Sequence, residues 1–187
     1  MSALTKALDE ITLLSTESKD AFMSAWKEWS VPKDHFLVRE NSIADYIFFI
    51  EKGIARIYYY KNEKEVTEWI AMDETFFLSI ISFFERIPSR LIIHTIEPAR
   101  VFGIHHDDLM RLSDQYHDIE KLFRKMLSRS LILSQYRMDS IQFETAQTRY
   151  ENLLKKYPEM IQRVPLSYIA SYLGITQETL SRIRSNI

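Results

Sequence analysis

The chain has 187 residues with 46% apolar and 27% charged side chains, a globular composition rather than a disordered one. Formal net charge is −2, which excludes a molecule that is basic throughout. There is no cysteine, which excludes disulfides, thiolate zinc sites and cysteine-bound iron–sulfur clusters. Charge is uneven: residues 145–187 hold six Lys or Arg against three Glu, so a mildly basic end follows an acidic body.

In chain order, Met1 to Leu14 is amphipathic and carries Asp9 and Glu10, unlike the basic-then-apolar layout of a secretory signal. No apolar run reaches the roughly 20 residues that span a bilayer. The richest is Thr75 to Phe84, and a cytoplasmic protein is expected. Ser18 to Trp29 is expected to be helical. Ser18 or Thr16 would cap it, Phe22, Trp26 and Trp29 share one face, and Pro32 ends it. From there to Ile104 short strands follow: His35–Val38, Tyr46–Ile50, Ile54–Tyr60, Val66–Met72, Leu91–Ile96 and Arg100–Ile104. Gly53 punctuates the series and Lys61–Lys64 forms a hairpin tip. Such spacing predicts an antiparallel sandwich or barrel within an α+β fold.

Asp107 to Phe143 is expected to be helical, with a break near Ser113 to His117. Ile119, Leu122, Phe123, Met126, Leu127, Ser130, Leu133 and Tyr136 approximate a three–four repeat. That stripe suits a dimer seam, or a cover for the sheet. Thr145 to Tyr157 is another helix, stopped by Pro158. The expected division is residues 1–143 for the sheet and long helix (about 107–143), and 144–187 for a small helical domain.

Leu166 to Ser185 is the most informative segment. Ala170 lets a second helix cross closely, Gly174 supplies a positive-φ turn, and Thr176 caps the next helix. Leu180 and Ile183 would pack on Ile169 and Leu173, giving a helix-turn-helix. The second helix then offers Gln177, Glu178, Ser181 and Arg182, residue types that read base edges in the major groove. A purely structural helical hairpin needs the same apolar spacing.

Gln177 to Ile183 is similar to the R-E-T-V-G-R-I recognition helix of the bacterial Crp/Fnr regulators, and Asp45 to Gly53 resembles their sensor β-roll. The resemblance implies an N-terminal, jelly-roll-like β-roll with flanking helices, a long dimerisation helix and a C-terminal helix-turn-helix. It also implies a homodimeric transcription factor whose partners are double-stranded DNA, RNA polymerase and a small-molecule effector. No cofactor and no membrane partner are expected. The sequence stops at Ile187, so the β-hairpin wing of many members is not expected, and phosphate contacts fall to Ser167, Thr176 and Arg184.

In members that bind cyclic nucleotides, a late cassette supplies Gly-Glu, then an Arg followed by Ser or Thr. Here Leu78-Ser79 and Ser89-Arg90 stand in those places. The carboxylate for the ribose is gone and the Arg order is inverted, so cyclic AMP is not the expected effector. Ser79, Ser89 and Arg90 are the candidate anion site, with Phe76, Phe77, Phe83 and Phe84 making it apolar or filling the core. His35, His94, His105, His106 and His117 show no metal-ligand spacing. No nucleophile–base pair or phosphate-cradling glycine loop suggests an enzyme. A second reading is a ligand-binding roll whose helical tail contacts proteins rather than DNA.

Overall fold

The computed structural model describes residues 3–185. Two four-stranded antiparallel sheets face each other, in the α+β, roll-like architecture expected. One sheet has the order β1 (Trp26–Val31), β8 (Ala99–His105), β3 (Tyr46–Lys52), β6 (Thr75–Phe77). The other runs β2 (Phe36–Val38), β7 (Ile92–Thr95), β4 (Ala55–Lys61), β5 (Lys64–Ala71).

Strand β3 shows why this sequence needs two cores. Alternate side chains point to opposite faces of a strand. Phe48 and Ile50 enter the core between the sheets, while Ile47 and Phe49 enter a second core on the outer face. Both faces are covered, so the run Ile47-Phe48-Phe49-Ile50 is apolar throughout. The outer core is closed by α1 (Ala3–Asp9), α2 (Thr16–Ser24), α4 (His106–Gln115) and the start of α5 (His117–Phe143). Each large side chain fully buried there contributes about 1.5–3 kcal/mol. Met1 and Ser2, the first residues of the amphipathic N-terminus, lie outside the described residues, as does any position after Ser185 where a wing would begin.

The expected helix from Ser18 to Trp29 is corrected. α2 starts at Thr16, with Ser15 as its cap; the Ser18 amide donates to Ser15 Oγ at 3.2 Å. Ser18 is buried and donates instead to Asp118 Oδ2 at 2.5 Å, tying α2 to the first turn of α5. Trp26 to Val31 is strand β1, paired with β8. Trp26 and Trp29 are three apart, a spacing that fits a helix, but sheet pairing overrides it. The apolar run Thr75 to Phe84 divides into β6 and a short helix, α3 (Ile80–Glu85). The hairpin tip falls where expected, with Asn62 at φ 50° and Glu63 at φ 63°.

The long helix breaks at Tyr116, inside the expected window. Its stripe covers the roll in the first turns and is bare beyond them. Ile119 and Leu122 are fully buried against the roll. Beyond Met126 the helix leaves the core, and Leu131 is 71%, Tyr136 66% and Phe143 80% exposed. Leu127, Leu131, Ser134, Met138 and Ile141 succeed one another at spacings of four, three, four and three, the pattern of a coiled-coil seam. Four helices follow: α6 (Ala146–Lys156), α7 (Met160–Arg163), α8 (Leu166–Tyr172) and α9 (Gln177–Ser185). Their apolar faces form a third core, which takes in Ile54, Ile70 and Ile96 of the roll.

Candidate nucleic-acid interface and effector site

Helix α8 begins after Pro165, whose fixed φ suits a helix start and whose carbonyl accepts from the Tyr168 amide. It ends in a Schellman turn. The Ile175 amide donates to the Ala170 carbonyl at 3.0 Å and the Gly174 amide to that of Ser171 at 3.1 Å. Gly174 sits at φ 70°, where an L side chain is strained. Thr176 then caps α9, its Oγ1 accepting from the Thr179 amide at 3.2 Å. Leu180 is fully buried against Ile169, Ala170 and Leu173. Gln177, Glu178, Ser181, Arg182 and Arg184 remain exposed, as do Ser167 and Thr176. The Glu178 carboxyl is held below its usual range by its own backbone amide, then by Thr176 and Arg182. One face of α9 thus carries donors, acceptors and both charge signs, on a helix anchored by its other face.

Helices α8 and α9 are seated on the roll by residues that the sequence alone did not single out. Strand β5 is a sheet edge, and edge amides need partners. Thr67 donates its amide to Ser171 Oγ at 2.8 Å, so α8 covers that edge. The buried Arg56 guanidinium lies between the rings of Tyr58, at 4.4 Å, and Tyr168, at 3.8 Å. It donates to Thr67 Oγ1 and to Glu65. Trp69 meets Tyr172 edge to face at 6.2 Å. Arg163 forks onto Asp73 and also reaches Glu97. The contacts that cross from the roll to the helices join positions 66 to 112 apart in the chain, and no local spacing announces them.

The candidate effector residues are placed differently from one another. Ser79 and Ser89 come together, buried, with their hydroxyl oxygens 3.0 Å apart. Ser89 also donates to the Leu91 carbonyl and accepts from the Leu91 amide. Both serines are thus satisfied within the protein. Arg90 is exposed, with its guanidinium 5.8 Å from the Tyr59 ring. The four phenylalanines also separate. Phe77 stacks on Phe48 between the sheets, while Phe76 and Phe83 join the helix-side core. Phe84 stacks on Phe123 of α5.

The histidines are held individually. His94 is buried beside Phe36, Tyr58 and Tyr168, and burial lowers its pKa. His105 caps α4 through the Asp107 amide, and His106 Nδ1 lies 2.8 Å from Asp107 Oδ1. Among the described residues no three His, Asp or Glu side chains cluster as metal ligands. Among the same residues no helix is long and apolar enough to cross a membrane.

Residues 28–116 match the cyclic nucleotide-binding domain. No curated protein matches the chain by sequence. Solved structures match along most of its length. The c-di-GMP responsive global regulator CLP from Xanthomonas campestris is 18% identical, with 92% of this chain and 91% of that one covered at a TM-score of 0.70. The catabolite activator protein of Thermus thermophilus is 16% identical, with 96% and 85% covered at 0.59. A crp/fnr-family regulator from Eubacterium rectale is 15% identical, with 91% and 82% covered at 0.71. Residues 28–116 are therefore similar to a cyclic nucleotide-binding domain, within a fold shared with Crp/Fnr regulators along most of the chain.

Proposed function

We propose that this chain is a DNA-binding transcription regulator of the Crp/Fnr type, not an enzyme, and that it acts as a cytoplasmic homodimer. Residues 1–143 form the sensing and dimerising part, and 144–187 the DNA-reading part. The observation that carries this is the exposure of Gln177, Glu178, Ser181 and Arg182 on a helix locked from behind by Leu180.

In this reading Arg182 donates to guanine, Gln177 pairs with adenine, Glu178 accepts from cytosine, and Ser181 meets either partner. Ser167, Thr176 and Arg184 touch phosphates and set the register. The bare seam on α5 brings two copies together, so the operator is two-fold, with half-sites about 34 Å apart. RNA polymerase is the partner such a complex would address. The mutual bonding of Ser79 and Ser89, with Arg90 outside, argues for an effector other than cyclic AMP.

Selection of bound duplexes from a random DNA pool tests this reading. The expected product is an inverted repeat with half-site centres about ten base pairs apart. Failure to enrich any duplex would favour a roll whose helical tail contacts proteins.

A further inference from the structure

Where the end of α5 meets α6, α8 and strand β5, the surface sinks into a cleft of about 140 Å³. Three cations stand around it, and each is held without a carboxylate. Arg137 stacks on the Tyr172 ring at 3.9 Å and donates to the Tyr172 carbonyl at 2.7 Å. Arg149 donates to the carbonyls of Leu173, at 3.0 Å, and Glu144, at 2.6 Å. Lys156 Nζ lies 5.2 Å from the Tyr157 ring. Among the described residues none of the three forms an ion pair.

The rest of the molecule supplies the contrast. The other well-shielded arginines all meet carboxylates: Arg56 meets Glu65, Arg86 meets Asp45, and Arg163 meets Asp73 and Glu97. A charge withdrawn from water is costly unless paired. Burial lowers the pKa of Arg137, as expected for a cation whose compensation is incomplete. Two carboxylates are near. Glu144 is engaged by Ser140 and Asn152. Glu68, which faces Arg137 and Arg90, is itself pushed up by burial.

The remaining walls are flat and aromatic. Trp69, Tyr136, Tyr157 and Tyr172 line the same cleft. Rings beside unpaired cations select a ligand with a π-face and a negative charge. The volume is below the roughly 300 Å³ at which drug-sized pockets begin, so it admits one ring rather than two.

We propose that this cleft binds a small aromatic anion, a single ring bearing a phosphate or carboxylate, at a site separate from the interior of the roll. The ring lies among Trp69, Tyr136 and Tyr172, and the anion completes the partners of Arg137, Arg149 and Lys156. Because the walls come from β5, α5, α6 and α8, an occupant fixes the reading helices against both the roll and the seam helix.

Calorimetric titration of the full chain with phenyl phosphate, without DNA, tests the site independently of the proposed function. Saturable binding is expected at or below about 1 mM. Lys156→Gln removes an exposed cation, so the variant folds, and it is expected to bind about tenfold more weakly. Arg137→Gln is expected to lose binding altogether. Benzyl alcohol, which lacks the charge, and inorganic phosphate, which lacks the ring, should each bind at least about tenfold more weakly than phenyl phosphate. No saturation by phenyl phosphate, wild-type affinity in Lys156→Gln, or equal binding of either control would overturn the proposal.

Discussion

Arg163, at the end of α7, donates two hydrogen bonds to the Asp73 carboxylate, at 2.6 and 3.1 Å, and so clips the helical end of the chain to the roll. Asp73 also accepts from the Gly53 amide at 2.6 Å. Burial acts to raise the Asp73 pKa, but these donors outweigh it and hold the carboxyl below its usual range. A group depressed in the folded state stabilises above its unfolded pKa, about 3.9, and loses that contribution as pH falls through the folded value. Arg163→Met should therefore cost about 1 kcal/mol at neutral pH, allowing for the partial exposure of the pair. It should also flatten the loss of stability below about pH 4. Thermal melts from pH 7 to pH 3 would show both effects; parallel curves for variant and wild type would refute the clip.

The two positive-φ glycines should respond unequally to alanine. A Cβ at Gly174 would meet only Ile141 Cδ1, at an ordinary 3.5 Å, so the cost is the left-handed backbone alone, about 1 kcal/mol. A Cβ at Gly53, at φ 114°, would come within 2.6 Å of Ala99 Cβ and 2.8 Å of Ala99 Cα. Neither atom is the end of a flexible chain. Gly53→Ala should destabilise by at least about 3 kcal/mol, counting strain and overpacking together. Urea unfolding of both variants ranks them, and equal midpoints would be inconsistent with this account.

Leu131 is 71% exposed, well beyond the buried anchors Ile119 and Leu122 that hold the helix to the roll, so its replacement should leave each protomer intact. Leu131→Glu places like charges across the proposed seam and should convert the proposed dimer to a monomer of normal secondary structure. Sedimentation equilibrium at micromolar protein measures this. A variant that sediments like the wild type would show that the seam lies elsewhere.

Cyclic AMP should bind poorly. A ligand at a hundred times its dissociation constant stabilises by about 2.7 kcal/mol, a shift of several degrees in Tm. At millimolar cyclic AMP no such shift is expected, because Ser79 and Ser89 satisfy each other and Arg90 is outside. Ser89→Ala, by contrast, removes the acceptor of the Leu91 amide and should cost about 1–3 kcal/mol. A clear Tm shift with cyclic AMP would reverse this assignment.

Much of this was legible along the chain because it depends on near neighbours. Gly174 and Thr176 form their turn and cap within a few residues, and the hairpin tip at Asn62 is equally local. Strand β1 was misread because Trp26 and Trp29 repeat at helical spacing, while β8, more than 70 residues away, decides the matter. The stripe on α5 is continuous in sequence, and nothing within it marks where cover for the roll gives way to bare surface near Leu127. Ser79 and Ser89 were picked as candidates by motif position, yet their hydroxyls turn to each other. Arg56, Arg163 and Arg137 escaped notice because Tyr168, Asp73 and Tyr172, which they meet, come from distant segments.

The central claim is that α9 reads DNA through Arg182. Fluorescence polarisation of a labelled duplex carrying the selected repeat, measured from about 50 to 200 mM salt, tests it most directly. The account predicts that affinity falls steeply and linearly on a double-logarithmic plot. Arg182→Ala should cost about 1–3 kcal/mol and relax the preference at one base pair. Salt-independent binding, or an Arg182→Ala variant that keeps wild-type affinity and sequence preference, would contradict it.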